Sequence, residues 1–389
     1  MAGTAQSAAR VITRASGSKF YQPELDGLRF FAFFGVFLPH SLPTDVLGYL
    51  RHPGFPPALV PFMTSVRLAG AFGVDLFFVL SSYLITELLL RERASSGTVH
   101  VKAFYVRRAF RIWPLYFTFL LLAAFVGWFD PAQRLGWGYQ CGYIFFAGNW
   151  ACMLLGWPGG ITDPLWSISV EEQFYLMWPL TMRKLSVKQI AWAAVAFLAI
   201  SSVTRLLLGL TAAPRVMIWV NTLARLDPIA CGALLAAGLH GSTPKLSQIS
   251  RGCMFLGGVG ALLLTAYYCR LDQSPTPLLG SLIGYPLVAV ACTTLLLAAL
   301  RSAEQPSWLL KNSLTTYLGR ISYGLYVFHS AALYLFTRYR GLLPDRFTGI
   351  WCVALSFAST ILIASISYRV LEQPFLRLKR KFTYVESGS

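Results

Sequence analysis

Charge is scarce in this chain. Of 389 residues only 13% are Asp, Glu, Lys or Arg, and just 16 are acidic. A soluble domain of this size needs a far larger charged surface, so that class is excluded. The seven cysteines form no Cys-x-x-Cys pair, which argues against a zinc or iron–sulfur site. The first 20 residues have no apolar core and are not a cleavable signal peptide. No internal repeat is present, and low-complexity sequence is confined to the two ends.

What the chain has instead is apolar length. It is 56% hydrophobic with a mean hydropathy of +0.56. Runs near membrane-spanning length recur at 27–46, 70–90, 112–129, 166–182, 190–209, 219–239, 252–268, 280–300, 315–336 and 350–371. The expected fold is therefore all-α, a polytopic transmembrane helical bundle of about ten spanning helices. Residues 1–20 read as a disordered cytoplasmic tail, 21–378 as one membrane domain and 379–389 as a C-terminal cytoplasmic tail.

The formal net charge of +17 could suggest nucleic acid. Loop asymmetry explains it without one, because Lys and Arg collect on the cytoplasmic side of a membrane protein. With ten spans and a cytoplasmic N-terminus, twenty Lys/Arg fall inside and eight outside. If the broken apolar run 139–157 also crossed, the division would be fourteen to fourteen. That run is therefore expected to be an outer re-entrant or surface segment. Cys141 and Cys152 both lie in it, and a disulfide and two free thiols are equally compatible with that place.

One stretch organises the rest. Leu25 to His40 is apolar apart from Asp26 and Arg29 at its start and His40 near its end. Arg29 and His40 are eleven positions apart, which on an α-helix is about 16–17 Å of rise and roughly 20° from three full turns. Both side chains thus leave one face, at different depths. Ionisable groups inside a membrane helix are costly and by default face a cavity. The plain alternative is an interfacial arginine plus a packing histidine.

In the ten-span topology His40, Asp75, the run Glu171, Glu172 and Gln173, the pair Arg225 and Asp227, and His329 all fall in the outer half. They come from five helices and are expected to share one layer, with Tyr175 and Tyr323 as supporting polar groups. Each has a structural alternative: Asp75 as a helix cap, Arg225 and Asp227 neutralising each other, His329 as core. The inner side carries Arg107, Arg108 and Arg111, with Arg29 nearby. Arg108 and Arg111 share a helical face, and clustered guanidiniums suit bidentate phosphate binding. Ordinary topogenic charge is the alternative. A basic inner mouth linked by one helix face to an outer His/carboxylate cluster fits a ligand such as acyl-coenzyme A, with a phosphorylated head and a long, nearly neutral arm.

At these residues the chain resembles the acyltransferase family 3 membrane proteins. Leu25-Asp-Gly-Leu-Arg29 with His40 is similar to the family's opening motif. Gly73-Val-Asp-Leu-Phe-Phe-Val-Leu-Ser-Ser-Tyr-Leu-Ile-Thr86 is similar to its second-span signature, with Ser82 where the family usually has Gly. Arg108-Ala-Phe-Arg111-Ile-Trp-Pro resembles its paired-arginine motif, and Leu165-Trp-Ser-Ile-Ser-Val-Glu-Glu-Gln-Phe-Tyr175 the motif whose more fixed acid falls at Glu171. Arg225-Leu-Asp227, Ile321 to His329 and Glu372-Gln-Pro-Phe are weaker matches. The resemblance implies a stand-alone O-acyltransferase, without a C-terminal esterase-like domain, in a bacterial inner membrane. It would move an acyl group, most often acetyl, from acyl-CoA to a sugar hydroxyl. His40 would be the general base, oriented by Glu171 or Asp75; Arg29, Arg107, Arg108 and Arg111 would hold the CoA phosphates. No metal and no nucleic acid is expected. The readings from other classes are a transporter or flippase using the buried charges as a pathway, and a non-catalytic assembly subunit.

Overall fold

The computed structural model describes residues 20–42, 56–300, 309–338 and 350–382. Of the expected tail at 1–20 all but Phe20 lies outside them, as do the loop at 43–55 and residues 383–389. Every regular element among the described residues is a helix. In chain order these are α1 (Pro23–Ser41), α2 (Val60–Ala71), α3 (Gly73–Ser96), α4 (Val101–Phe129), α5 (Trp137–Ile144), α6 (Gly148–Leu155), α7 (Trp166–Lys184), α8 (Val187–Leu210), α9 (Arg215–Trp219), α10 (Leu226–Leu239), α11 (Gln248–Tyr268), α12 (Leu278–Ala299), α13 (Ser313–Arg320), α14 (Ser322–Arg338), α15 (Ile350–Ser367) and α16 (Gln373–Lys379).

The expected spans fall largely on helix, residues 43–46 of the first lying outside the described residues, but among the described residues six stretches are long and apolar enough to cross a membrane. They are Pro57–Ser96, Val101–Phe129, Val187–Leu210, Gln248–Tyr268, Leu278–Ala299 and Trp351–Lys379. These make the chain an integral membrane protein. The other four expected spans fall on α1, α7, α10 and the pair α13–α14. They are short, broken or polar: α10 has 14 residues, α13 and α14 are interrupted at Ile321, α1 carries Asp26, Arg29 and His40, and α7 carries Glu171 and Glu172. These helices build the site together with α3 and α4, which meet the apolar criterion and bring Val74, Ser81, Arg108 and Arg111 to it.

The run 139–157 is a pair of helices, α5 and α6, of eight residues each. At about 1.5 Å per residue neither approaches the roughly 20 residues that a crossing needs. The chain reverses between them at Phe146, whose φ is +53°, and the Tyr116 hydroxyl of α4 donates to the Tyr143 carbonyl at 2.8 Å. Cys141 is exposed and Cys152 buried, and both are free thiols.

Pro23 sits in the first turn of α1, where its missing N–H costs nothing, and Glu24 and Asp26 lie at the positive end of the helix dipole. The backbones of α1 and α13 touch: a Cβ built on Gly319 would meet the Asp26 carbonyl oxygen at 1.8 Å. Between α3 and α10, a Cβ on Gly232 would lie 2.0 Å from Ser82 Oγ. The serine at a position where small residues are usual is thus accommodated by a glycine opposite it. Past α16 the chain does not dissolve into a tail at once. Arg380–Phe382 form a turn, and the Phe382 carbonyl accepts from Arg107 Nη1 at 2.8 Å.

Candidate active site

Two cavities lie along the face of α1. The inner one, about 110 Å³, is lined by Arg29, Arg108, Arg111, Glu171, Tyr175, Ser81, Ser167 and Tyr323 among others. Asp26 aims Arg29: its carboxylate takes Arg29 Nη1 at 2.9 Å and the Tyr21 hydroxyl at 3.1 Å. Arg108 lies over the rings of Phe104 and Tyr175, 5.5 and 5.2 Å from their centroids. Neither Arg108 nor Arg111 donates a hydrogen bond or joins an ion pair among the described residues. The Tyr175 hydroxyl donates to Glu171 Oε2 at 2.8 Å and accepts from Ser81 Oγ. Tyr323 donates to the Ile112 carbonyl at 3.0 Å. Lys379 of α16 is an electrostatic neighbour of Arg29, Arg108 and Arg111.

The outer cavity, about 430 Å³, is lined by His40, Asp163, Arg67, Arg215, Asp272 and the indoles of Trp157, Trp166 and Trp219. His40 Nδ1 is 2.7 Å from the Val36 carbonyl, which can only accept. The ring proton therefore sits on Nδ1 in the neutral imidazole, and Nε2 keeps its lone pair. His329 packs edge-on against it, ring centroids 4.9 Å apart. Its own Nδ1 donates to the Tyr326 carbonyl at 2.6 Å. Of the two carboxylates in this cavity, the electrostatic neighbour of His40 is Asp163, in the turn before α7. The Gly159 and Gly160 N–H groups, both 3.1 Å away, hold its Oδ1. Burial pushes the Asp163 carboxyl above the ordinary carboxylate range, against the opposing pull of those N–H groups and of His40.

Val74 and Tyr326 line both cavities. The Tyr326 hydroxyl lies 2.6 Å from Ser167 Oγ, a wall of the inner cavity, and donates to the carbonyl of Pro164, a wall of the outer one, at 2.9 Å.

The expected single outer layer is in fact three clusters. Glu171 stands in the inner cavity with the arginines, not beside His40. Asp75 is held by Arg225 Nη2 at 2.8 Å, so its carboxylate is spent on a buried ion pair. Asp227 does not neutralise Arg225. It pairs with Arg205, at 2.5 and 3.0 Å, and accepts from Ser201 at 2.5 Å. Arg225 lies between the rings of Trp219 and Tyr285, 4.5 and 4.8 Å from their centroids. Glu172 accepts from Trp113 Nε1 at 3.2 Å. Gln173 ties α7 to the reversal between α5 and α6, donating to the Phe146 carbonyl and Asn149 Oδ1 at 2.9 Å each. Arg107 faces away from the inner cavity, donating to Glu92 Oε2 and the Phe382 carbonyl at 2.8 Å each. No group of three His, Cys, Asp or Glu able to hold a metal occurs among the described residues.

Sequence reasoning missed Asp163, Arg205 and Tyr326. Asp163 lies two residues upstream of the quoted Leu165–Tyr175 motif, and Tyr326 lies inside the run ending at His329, so both were within reach. Arg67 and Arg215 were counted only as outer topogenic charge.

A peptidoglycan O-acetyltransferase, OatA, of Listeria monocytogenes is 25% identical over 92% of this chain and 56% of its own length. An O-acetyltransferase OatA of Staphylococcus aureus is 25% identical over 91% of this chain and 57% of its own. A putative O-acetyltransferase of the same species is 26% identical over 91% and 57%. The chain thus spans just over half the length of these curated relatives. No solved structure matches. The family model described as "Acyltransferase domain" matches residues 22–369, which contain both cavities and the wall between them, and the chain belongs to that family, acyltransferase 3.

Proposed function

We propose that the protein moves an acyl group, most often acetyl, from acyl-CoA bound at the inner cavity to a sugar hydroxyl held in the outer cavity. The observation that carries this reading is the shared wall: free guanidiniums line one cavity, an imidazole with an open Nε2 lines the other, and Val74 and Tyr326 belong to both. Arg108 and Arg111, with Arg29, would take the CoA phosphates through charge-assisted hydrogen bonds. The thioester arm would extend towards His40.

His40 Nε2 takes the proton of the acceptor hydroxyl as its oxygen bonds to the thioester carbonyl carbon. The tetrahedral adduct then collapses, the carbon–sulfur bond breaks, and the His40 imidazolium returns its proton to the departing thiolate. Products are an O-acyl sugar and free CoA thiol. The Val36 carbonyl fixes the tautomer that makes this possible, and Asp163 supplies negative charge for the imidazolium, as the third member of a catalytic triad does. The orienting role expected of Glu171 or Asp75 passes to Asp163. Glu171, through Tyr175 and Ser81, instead shapes the floor of the inner cavity. The relatives' names support a sugar-polymer acceptor, and the charge asymmetry supports cytoplasmic termini in a bacterial inner membrane.

The test uses membranes carrying the full chain, labelled acetyl-CoA and a thiol-release readout. His40→Ala is expected to lower transfer by about 10²- to 10⁴-fold with the protein still folded in the membrane. Full transfer in that variant would remove the mechanism. Flux of a glycan without CoA release would point to a transporter.

A further inference from the structure

The outer cavity carries more positive charge than a neutral sugar would use. Arg67, on α2, makes no hydrogen bond and no ion pair among the described residues, and its Nε is shielded from solvent without a partner. Arg215, at the start of α9, is held from behind. Its Nε donates to the Leu271 carbonyl at 2.9 Å, and its guanidinium lies 4.6 Å from the centroid of Trp219. That leaves its terminal nitrogens without a hydrogen-bond partner among the described residues.

Neither carboxylate of the cavity forms an ion pair with these arginines among the described residues. Asp163 is engaged by the Gly159 and Gly160 N–H groups and neighbours His40. Asp272, exposed at the rim, is an electrostatic neighbour of Arg215 but forms no ion pair with either arginine among the described residues. Elsewhere in the protein, buried arginines are committed: Arg205 and Arg225 to carboxylates, Arg251 to the Ala298, Leu300 and Pro244 carbonyls. Two guanidiniums whose terminal nitrogens have no hydrogen-bond partner among the described residues, beside the exposed indole of Trp157, are a recognition pattern. Indole faces are negative and receive the C–H face of a sugar ring, while planar guanidiniums receive a carboxylate or phosphate.

Resting on the acyl-transfer reading, we infer that the acceptor is an anionic glycan. Its charged group docks on Arg67 and Arg215 while the hydroxyl to be acylated lies at His40. Carboxylate and phosphate share this chemistry, and the test separates them.

The experiment follows tryptophan fluorescence of the detergent-purified full chain during titration with three probes: trigalacturonate, neutral galactotriose, and galactotriose phosphorylated at O6. One anionic probe is expected to bind at least about tenfold more tightly than the neutral one, and which of them does so identifies the group. Arg67→Gln should shrink the preference below about threefold, and Arg67→Lys should restore part of it. Equal binding of all three probes, no binding of any, or an undiminished preference in a folded Arg67→Gln protein would overturn the inference. If Arg67→Gln is not recovered folded, the wild-type preference still decides. Binding needs no turnover, so thiol release from labelled acetyl-CoA is scored separately. Release without anion preference sinks this inference alone, whereas absent release sinks the acyl-transfer reading.

Discussion

Two groups of arginines sit inside this protein and live in opposite circumstances. Arg205 and Arg225 are fully buried and each has a carboxylate of its own, Asp227 and Asp75. Arg108 and Arg111 line a cavity and form no ion pair among the described residues, although Glu171 and Glu372 are their electrostatic neighbours. Taking a charge out of water is costly, and a buried partner only offsets that cost. The first group is therefore structural: it fastens α10 to α3 and to α8 and leaves no charge to spare. On the proposed reading, the second group is the one that meets the acyl donor. Residue type does not separate the groups, but partners do.

The contrast can be broken from either side. The largest effect is expected from Asp227→Asn, which strands the Arg205 charge in the core and should cost about 3–5 kcal/mol, read as lost yield and a lowered melting temperature. Replacing both partners, Arg205→Met with Asp227→Leu, should recover most of that loss. Recovery would confirm a structural pair, and a double variant as unstable as the single would deny it. Next in size, Arg108→Ala with Arg111→Ala should weaken acyl-CoA binding by about 10- to 100-fold while thermal stability stays near wild type. Unchanged affinity would make the pair mere topogenic charge. The smallest effect belongs to Arg107→Ala. Its partner Glu92 keeps the His100 N–H at 2.8 Å, so the loss should be about 1 kcal/mol with acyl-CoA affinity unaltered. A drop in affinity comparable to the double variant would return Arg107 to the binding set.

Much of this was legible in the sequence, and the exceptions have physical causes. Helices and their approximate limits follow from apolar length, and the reach from Arg29 to His40 along one face follows from helix geometry alone. Depth along a helix does not say which neighbour a side chain meets. Asp75, Glu171 and Asp227 were expected at one depth, yet Glu171 faces the inner cavity while Asp75 and Asp227 face the buried arginines around Tyr285. Rotation and tilt are set by contacts such as Gly232 against Ser82 and Gly319 against the Asp26 carbonyl, which no single-helix pattern encodes. Arg205 was overlooked because its helix, α8, reads as an ordinary lipid-facing span; only its partner on α10 explains why a guanidinium is there. Asp163 was overlooked because a carboxylate in a loop looks like surface, and only the fold of residues 156–165 over the bundle brings it to His40.

The wall shared by the cavities is the place to decide whether an acyl group passes from one to the other. Val74 is buried there, 5% exposed, and Val74→Phe would thicken it without touching an arginine or a histidine. Passage through this point predicts that the variant binds acyl-CoA with wild-type affinity while acetyl transfer to the outer acceptor falls at least about tenfold, in line with the cost of overfilling a packed site. Undiminished transfer in a variant that binds acyl-CoA normally would show that the two cavities are not one route.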